Sequence, residues 1–192
     1  NYALFPHMTV ADNVAFGLDF KSQPELGRAA RRARVEEAIE EVGLAHAAEM
    51  FPAELSGGMA QRVSLARVLA RNPEVWLLDE PFSALDIQTR QLMENEVLAL
   101  WSAKRKAVLF ITHDLDEAIA MSDRVVVMSA GPASRPIGEF VIDLPRPRDV
   151  AEIRLDARFN ALHSAIWDVL LDEVLKGYRQ QLPGLPSEEA KL

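Results

Sequence analysis

Apolar residues recur along the chain at two kinds of spacing, and each kind predicts a type of element. Spacings of three and four residues predict helices at about 9–18, 29–42, 57–71, 87–104, 115–121 and 150–176. Short uninterrupted apolar runs predict strands at 75–78, 107–112 and 124–129, and a further strand is predicted at 138–143. The stretch at 19–28 and the last dozen or so residues are predicted to be a loop and a frayed tail.

Helices alternate with apolar runs between residues 75 and 129, which is the pattern of βαβ units. Continuously apolar strands are typical of a parallel sheet that is covered on both faces. We therefore predict an α/β fold with such a sheet. Ligands of these sheets bind beyond the carboxyl ends of the strands. The polar residues at the carboxyl ends of the first two predicted strands are Asp79, Glu80, Thr112 and His113.

Composition narrows the function classes. The 192 residues are 49% hydrophobic and 26% charged, which is ordinary for a globular chain of one domain or one domain with an appendage. The net charge of −8 argues against nucleic acid as the main partner, because binding it requires a basic face. The absence of cysteine excludes disulfides, thiolate metal sites and cysteine nucleophiles. No apolar run is long enough to predict a membrane span.

Ser56, Gly57 and Gly58 begin the helix predicted at 57–71. Unpaired N–H groups and the positive end of the helix dipole attract anions there, and two glycines let a phosphate approach the backbone. A serine before a helix is also an ordinary N-cap. The segment taken alone leaves both interpretations open.

Asp79 and Glu80 end the strand predicted at 75–78. Buried carboxylates need a metal, a cation or a proton. An aspartate can hold Mg²⁺ through water, and a neighbouring glutamate can orient or deprotonate an attacking water. The alternative is an exposed turn in which both acids face solvent.

His113 follows the second predicted strand, where an imidazole can donate a hydrogen bond to a phosphate oxygen. A histidine at a strand end can equally be structural. The other histidines have no carboxylate or histidine partner at metal-binding spacing and are assigned no site: His7, His46 and His163.

Taken in chain order, these segments resemble the ATP-binding subunits of ABC transporters. Leu55–Met59 resembles the signature motif, and Val75–Glu80 resembles the Walker B strand with its following glutamate. Ser83–Asp86 resembles the D-loop, and His113 the switch histidine. The stretch Arg135–Arg148, with the helix after it, is similar to the subgroup that imports nitrate, sulfonates or taurine.

The resemblance implies part of a P-loop NTPase core of the ABC type, with a parallel sheet, a helical subdomain and a C-terminal helical extension. The implied segments are a helical subdomain with the signature motif at 1–72, a catalytic α/β core at 73–129, a strand and helix at 130–176, and a tail at 177–192.

The resemblance also implies an ATPase that binds ATP and Mg²⁺. Asp79 would hold Mg²⁺ through water, Glu80 would act as general base or position the water, and His113 would contact the γ-phosphate. Ser56–Gly58 would close over ATP bound to a second copy of the chain, and Asp86 would act across the same dimer interface.

Such a subunit would power an importer of a small anion or organic solute. It would lie at the cytoplasmic face of the cell membrane as a peripheral protein. Its partners would be a second copy of itself, transmembrane permease subunits and, indirectly, a substrate-binding protein, with no nucleic acid. Two alternatives stay open: a non-enzymatic remnant that binds a partner, and an ABC ATPase that acts on nucleic acid.

The resemblance places Tyr2–Leu18 in the subdomain that meets the membrane partner. The apolar residues expected to supply a surface for a permease helix are Leu4, Phe5, Pro6, Met8 and Val10. Packing inside the domain is the alternative for these side chains.

The chain departs from the family in lacking any Gly-Lys pair, so the phosphate-binding loop G-x-x-x-x-G-K-[ST] is absent from the sequence. We expect that the N-terminal third of the subunit is missing from it. The chain alone would then hold half of each composite site and bind ATP poorly.

Overall fold

A computed structural model describes residues 4–18, 26–131 and 133–181. The chain divides into two compact units, Asn1–Ile111 and Thr112–Leu192. Most of the loop predicted at 19–28 and residues 182–192 of the predicted tail lie outside the described residues. The four segments implied by the resemblance stay predictions.

The first unit begins with a helical layer, which we define as α1, α2 and α3 with the turns that join them. The helices are α1 (Val10–Phe16), α2 (Arg28–Glu41) and α3 (Gly57–Arg71), with 3₁₀ turns at Ala45–Ala47 and Pro52–Glu54. They pack against one another and bury the apolar side chains at the predicted helical spacing: Val10, Val14, Val35, Ile39, Val63 and Leu69. The helices predicted here are confirmed.

Local capping explains where these helices start and stop. Thr9 Oγ1 accepts a hydrogen bond from the backbone N–H of Asp12 at 3.1 Å and so caps α1. Past the end of α2, Gly43 has φ of 69°, a conformation that favours glycine. Asn72 ends α3 in the same left-handed region, with φ of 46°.

The strands β1 (Val75–Asp79) and β2 (Ala107–Ile111) form a parallel ladder and are joined by α4 (Ile87–Lys104). This is the predicted βαβ unit. Side chains alternate along β1, so that Trp76 is only 2% exposed while Leu77 points to the opposite face. The aromatic ring of Phe110 in β2 lies on the Trp76 face, 6.0 Å from that of Phe82.

The expectation that this sheet is covered on both faces is wrong for the described residues. Leu77 is 70% exposed, and Leu109, directly opposite it in the ladder, is 56% exposed. Val75 and Ile111 are exposed on the same face. Within the first unit, helices and loops bury Trp76 on the opposite face, where Val108 is 39% exposed. We call the face formed by Val75, Leu77, Leu109 and Ile111 the open face.

In the second unit, β3 (Arg124–Met128) and β4 (Pro136–Val141) form an antiparallel hairpin. The third predicted strand therefore pairs with the strand after it. The connection is short, and Ser129 N donates to the carbonyl of Arg135 across it at 2.8 Å. A short connection allows antiparallel pairing, whereas parallel strands need a longer crossover.

Three helices complete the second unit: α5 (Leu115–Met121), α6 (Val150–Ile153) and α7 (Ala157–Gln181). The helix predicted at about 150–176 is confirmed from Ala157 onwards, but it is interrupted after Ile153. Asp156 separates α6 from α7, because its carboxylate accepts the backbone N–H of Arg158 at 2.8 Å as an N-cap does. Hydrogen bonds from the side chain and backbone of Arg158 lower the pKa of Asp156.

The long helix α7 packs on α5 and on both strands of the hairpin, and it buries Phe159 and Ile166. Across the described part of the chain, no helix combines the length and the hydropathy needed to cross a bilayer.

Candidate functional site

The start of α3 carries the residues that resemble the signature motif. Ser56 Oγ accepts the N–H of Met59 at 3.3 Å, so the N-cap is present. Ser56 and Gly57 are exposed, which also leaves room for an anion to approach this turn. A Cβ at Gly58 would lie 3.0 Å from the methyl carbon of Thr89 in α4, so the glycine allows α3 and α4 to approach closely here.

The acid pair lies at the carboxyl end of the ladder, as the sequence predicted. Asp79 is the last residue of β1, lies opposite Ile111 of β2, and is exposed. Glu80 is also exposed, which matches the predicted alternative of an exposed turn. The backbone of Glu80 is held on both sides: its N–H donates to the Ile111 carbonyl at 2.8 Å, and its carbonyl accepts from Ser83 Oγ at 3.0 Å.

Glu80 adopts an unusual backbone conformation, with φ of 44°. In the described residues only two other non-glycine residues have positive φ, Asn72 and Arg105, and both end helices, where this conformation is common. Glu80 ends no helix. A side chain in this region costs about 1–3 kcal/mol, and residues held there cluster at functional sites. The hydrogen bonds on either side of Glu80 keep it in place.

A cleft of about 310 Å³ opens beside the acid pair. Its lining includes Asp79, Glu80 and Ser83, together with Gln61 from α3. The side-chain amide of Gln61 donates to the carbonyl of Pro81. This hydrogen bond connects α3, which begins with the signature-like residues, to the turn that follows the acid pair.

Asp86, the last residue of the D-loop-like segment, is the N-cap of α4. Its two carboxylate oxygens accept from the backbone N–H of Thr89 at 3.0 Å and from Thr89 Oγ1 at 2.6 Å. The side-chain hydrogen bond from Thr89, followed by the backbone one, lowers the pKa of Asp86. Asp86 therefore has a local capping role, and its action across a dimer interface stays a prediction.

His113 is exposed and lies near the start of the second unit. Its chain neighbour Thr112 donates through Oγ1 to Glu117 Oε2 at 2.8 Å and accepts the N–H of Asp114 at 3.0 Å. Asp114 caps α5 by accepting the N–H of Glu117 at 3.2 Å. The sequence interpretation missed Glu117. Only the structure shows that Glu117 is buried on the helix that begins shortly after His113.

The fold also gives His163 a carboxylate neighbour that local spacing could not reveal. His163 Nε2 lies 3.6 Å from one carboxylate oxygen of Asp116, and Arg154 Nη1 lies 3.6 Å from the other. No group of three or more potential metal ligands occurs in the residues that the structure describes.

One of the residues expected to form the N-terminal apolar surface is not at the surface. Val10 is buried in the helical layer, so it cannot contribute to an apolar docking surface. Pro6 is exposed, Phe5 is half-buried, and the ring of Phe16, which is also exposed, lies 4.4 Å from that of Phe5. Leu4 and Met8 are half-buried, and Tyr2 lies outside the described residues.

Comparison with known proteins places this geometry in a family. Residues 1–83 match the family model described as ABC transporter. An uncharacterized ABC transporter ATP-binding protein of Methanocaldococcus jannaschii is 46% identical over 93% of the chain. The nitrate transport protein NasD of Klebsiella oxytoca is 40% identical over 90% of it, and the bicarbonate transport ATP-binding protein CmpD of Synechococcus elongatus is 44% identical over 88%.

The chain spans 64%, 66% and 61% of the lengths of these three relatives, respectively. Among solved structures, a dimeric ATP-binding cassette in a post-hydrolysis state, bound to ADP and phosphate, is 34% identical with a TM-score of 0.55. That match covers 65% of this chain and 54% of the cassette. The parallel ladder that ends in an acid pair, the glycine-containing start of α3 and the sequence matches agree: the chain belongs to the family of ABC transporter ATP-binding proteins and has part of their α/β fold.

Proposed function

We propose that this chain provides the signature motif, the acid pair and the switch histidine of an ATP-hydrolysing subunit that powers an ABC importer. The observation that carries the proposal is the geometry at Glu80. Its backbone is held in the left-handed region at the end of a parallel strand, with the side chain exposed beside a cleft. A conformation that is costly and held from both sides suits a residue whose carboxylate must be aimed.

Asp79 and Glu80 would have different roles at this edge of the sheet. Mg²⁺ in ATPases is held by one or two carboxylates, waters and the phosphates of the substrate, so a single exposed aspartate at a strand end fits it. Bound Mg²⁺ would neutralise charge that develops on the phosphates. Glu80 would orient the attacking water or accept its proton.

The remaining residues would act on the γ-phosphate. His113 would donate a hydrogen bond to it, and Ser56–Gly58 would close over ATP bound to a second copy of the chain. The exposure of Ser56 and Gly57 supports this role, because a partner must reach them. Asp86 would act across the same interface in addition to its role as the cap of α4.

The cargo we propose is a small anion or organic solute of the nitrate, sulfonate or taurine type. Relatives named for nitrate and bicarbonate transport support a small anion. The subunit would be peripheral at the cytoplasmic face of the membrane. Its partners would be a second copy, transmembrane permease subunits and, indirectly, a substrate-binding protein.

Replacing Glu80 with Gln in the full-length protein tests the proposal. We expect ATP binding to persist while the hydrolysis rate falls by roughly 10²–10⁴-fold, because the amide cannot accept the proton of water. The measurements are nucleotide affinity and steady-state phosphate release. Glu74→Gln is the matched control, because Glu74 immediately precedes β1 at its opposite end, its side chain is 89% exposed, and its carboxylate pairs with Lys106 at 3.1 Å, away from the acid pair. It should hydrolyse ATP at the wild-type rate. Unchanged turnover in Glu80→Gln would remove Glu80 from the reaction.

A further inference from the structure

The residue just before His113 is fixed by hydrogen bonds on both sides of its hydroxyl. Thr112 Oγ1 donates to Glu117 Oε2 at 2.8 Å and accepts from the N–H of Asp114 at 3.0 Å. A hydroxyl that both donates and accepts has its rotation defined. The backbone on each side of His113 is therefore connected to a single side-chain oxygen.

Glu117 is only 3% exposed, an unusual position for a glutamate. A buried carboxylate is costly unless it accepts hydrogen bonds, and hydrogen bonds to a charged acceptor are stronger than neutral ones. The Thr112 hydroxyl is one of the donors that meet this need. Loss of this hydrogen bond would therefore leave a buried carboxylate with one donor fewer.

The helix that carries Glu117 is held at both ends. At its start, Asp114 Oδ1 accepts from the N–H groups of Asp116 and Glu117 at 2.9 and 3.2 Å. At its end, the buried guanidinium of Arg148 donates to the carbonyls of Ala120 and Ser122 at 3.1 and 2.6 Å. Glu117 therefore lies on a fixed support, and Thr112 is held relative to that support.

We propose that Glu117, through the Thr112 hydroxyl, is a positioning residue that holds His113 in the orientation needed to reach the γ-phosphate. This inference rests on the proposed function, because it assigns a role in the reaction to the surroundings of His113. Positioning matters in phosphoryl transfer because the protein contributes mainly geometry and charge.

The test is Thr112→Val in the full-length protein, which removes the hydroxyl and keeps the shape. We expect kcat for ATP hydrolysis to fall about three- to tenfold, the range that corresponds to one lost hydrogen bond, while KM for ATP stays within about twofold. Thr112→Ser, which restores the hydroxyl, should return kcat to near the wild-type value. Wild-type kcat in Thr112→Val, or a failure of Thr112→Ser to restore it, would overturn the inference.

A second pair of variants covers the case in which Thr112→Val does not fold. Glu117→Gln keeps an oxygen that can accept from Thr112, whereas Glu117→Met does not. We expect Gln to retain more of kcat than Met at the same KM, and equal turnover in the two would overturn the inference. The Glu80→Gln variant distinguishes a failure of the proposed function from a failure of the role assigned to Glu117. Normal hydrolysis in that variant removes the proposed function, whereas slow hydrolysis there with wild-type turnover in Thr112→Val removes only the role of Glu117.

Discussion

The helical layer and the β1–β2 ladder belong to the same unit but bury their apolar side chains to different extents. Leu44, in the connection between α2 and α3, is 1% exposed. Leu77 and Leu109, paired in the ladder, are 70% and 56% exposed. The difference does not come from residue type, because all three are leucines in the same compact unit.

The difference shows what each hydrophobic pattern requires. An amphipathic helix has one apolar face and is satisfied by neighbours on one side. A strand of a parallel sheet is apolar on both faces and needs cover from both sides. The helical layer finds its neighbours among the described residues, whereas the open face of the ladder does not. A continuous apolar run therefore indicates a need for cover and does not show that the cover is present.

The largest expected effect compares Leu44→Ala with Leu77→Ala in the 192-residue chain. Leu44→Ala should lower the free energy of unfolding by about 2–5 kcal/mol, because it leaves a cavity in the helical layer. Leu77→Ala should change it by no more than about 0.5 kcal/mol, as exposed substitutions do. Urea unfolding followed by circular dichroism measures both. Equal losses would mean that the open face is covered in solution, and the comparison would then fail.

The sequence predicts the helices of the first unit well because their ends are encoded locally. The bounds of α3 and α4 follow from Ser56 and Asp86, which cap them, and from the residues just after them. The acid pair at a strand end is predictable for the same reason. Its position depends on where β1 stops, and that is visible in the change from apolar to acidic residues.

What the sequence does not predict depends on long-range contacts. The apolar run of β3 does not by itself specify its partner, and only the short connection to β4 favours an antiparallel pair over the predicted parallel sheet. Arg148 is another example. Its guanidinium is buried and donates to the carbonyls of Ile142 and Leu144 as well as to the end of α5. Burial lowers the pKa of Arg148. In the sequence, an arginine between Pro147 and Asp149 resembles a surface residue, and only the fold shows that it is buried.

A second prediction concerns association of the 192-residue chain. A contiguous apolar patch on an exposed ladder favours contact with other molecules. We expect the chain to self-associate at high concentration and the double variant Leu77→Lys with Leu109→Lys to shift it towards monomer in sedimentation velocity. Leu92→Lys is the matched control, because Leu92 is also highly exposed but lies on α4. An equal shift in the control would show that charge, and not the open face, governs association.

The smallest expected effect tests α4, the helix that joins the two strands of the ladder. Hydrogen bonds from Thr89 lower the pKa of Asp86 in the folded chain, so ionised Asp86 stabilises the fold above its unfolded pKa. That contribution is lost as the pH falls through the folded value. The stability difference between wild type and Asp86→Asn should therefore be largest above about pH 4 and shrink below it. Urea unfolding at several pH values measures the difference. Thr89→Val, which removes the side-chain donor, should reduce the pH dependence. A pH dependence that is unchanged in Thr89→Val would contradict this cause. Because the cap is local, its contribution to stability should be the same whether the open face is covered or exposed. The capping of α4 and the cover of the ladder therefore contribute independently to stability.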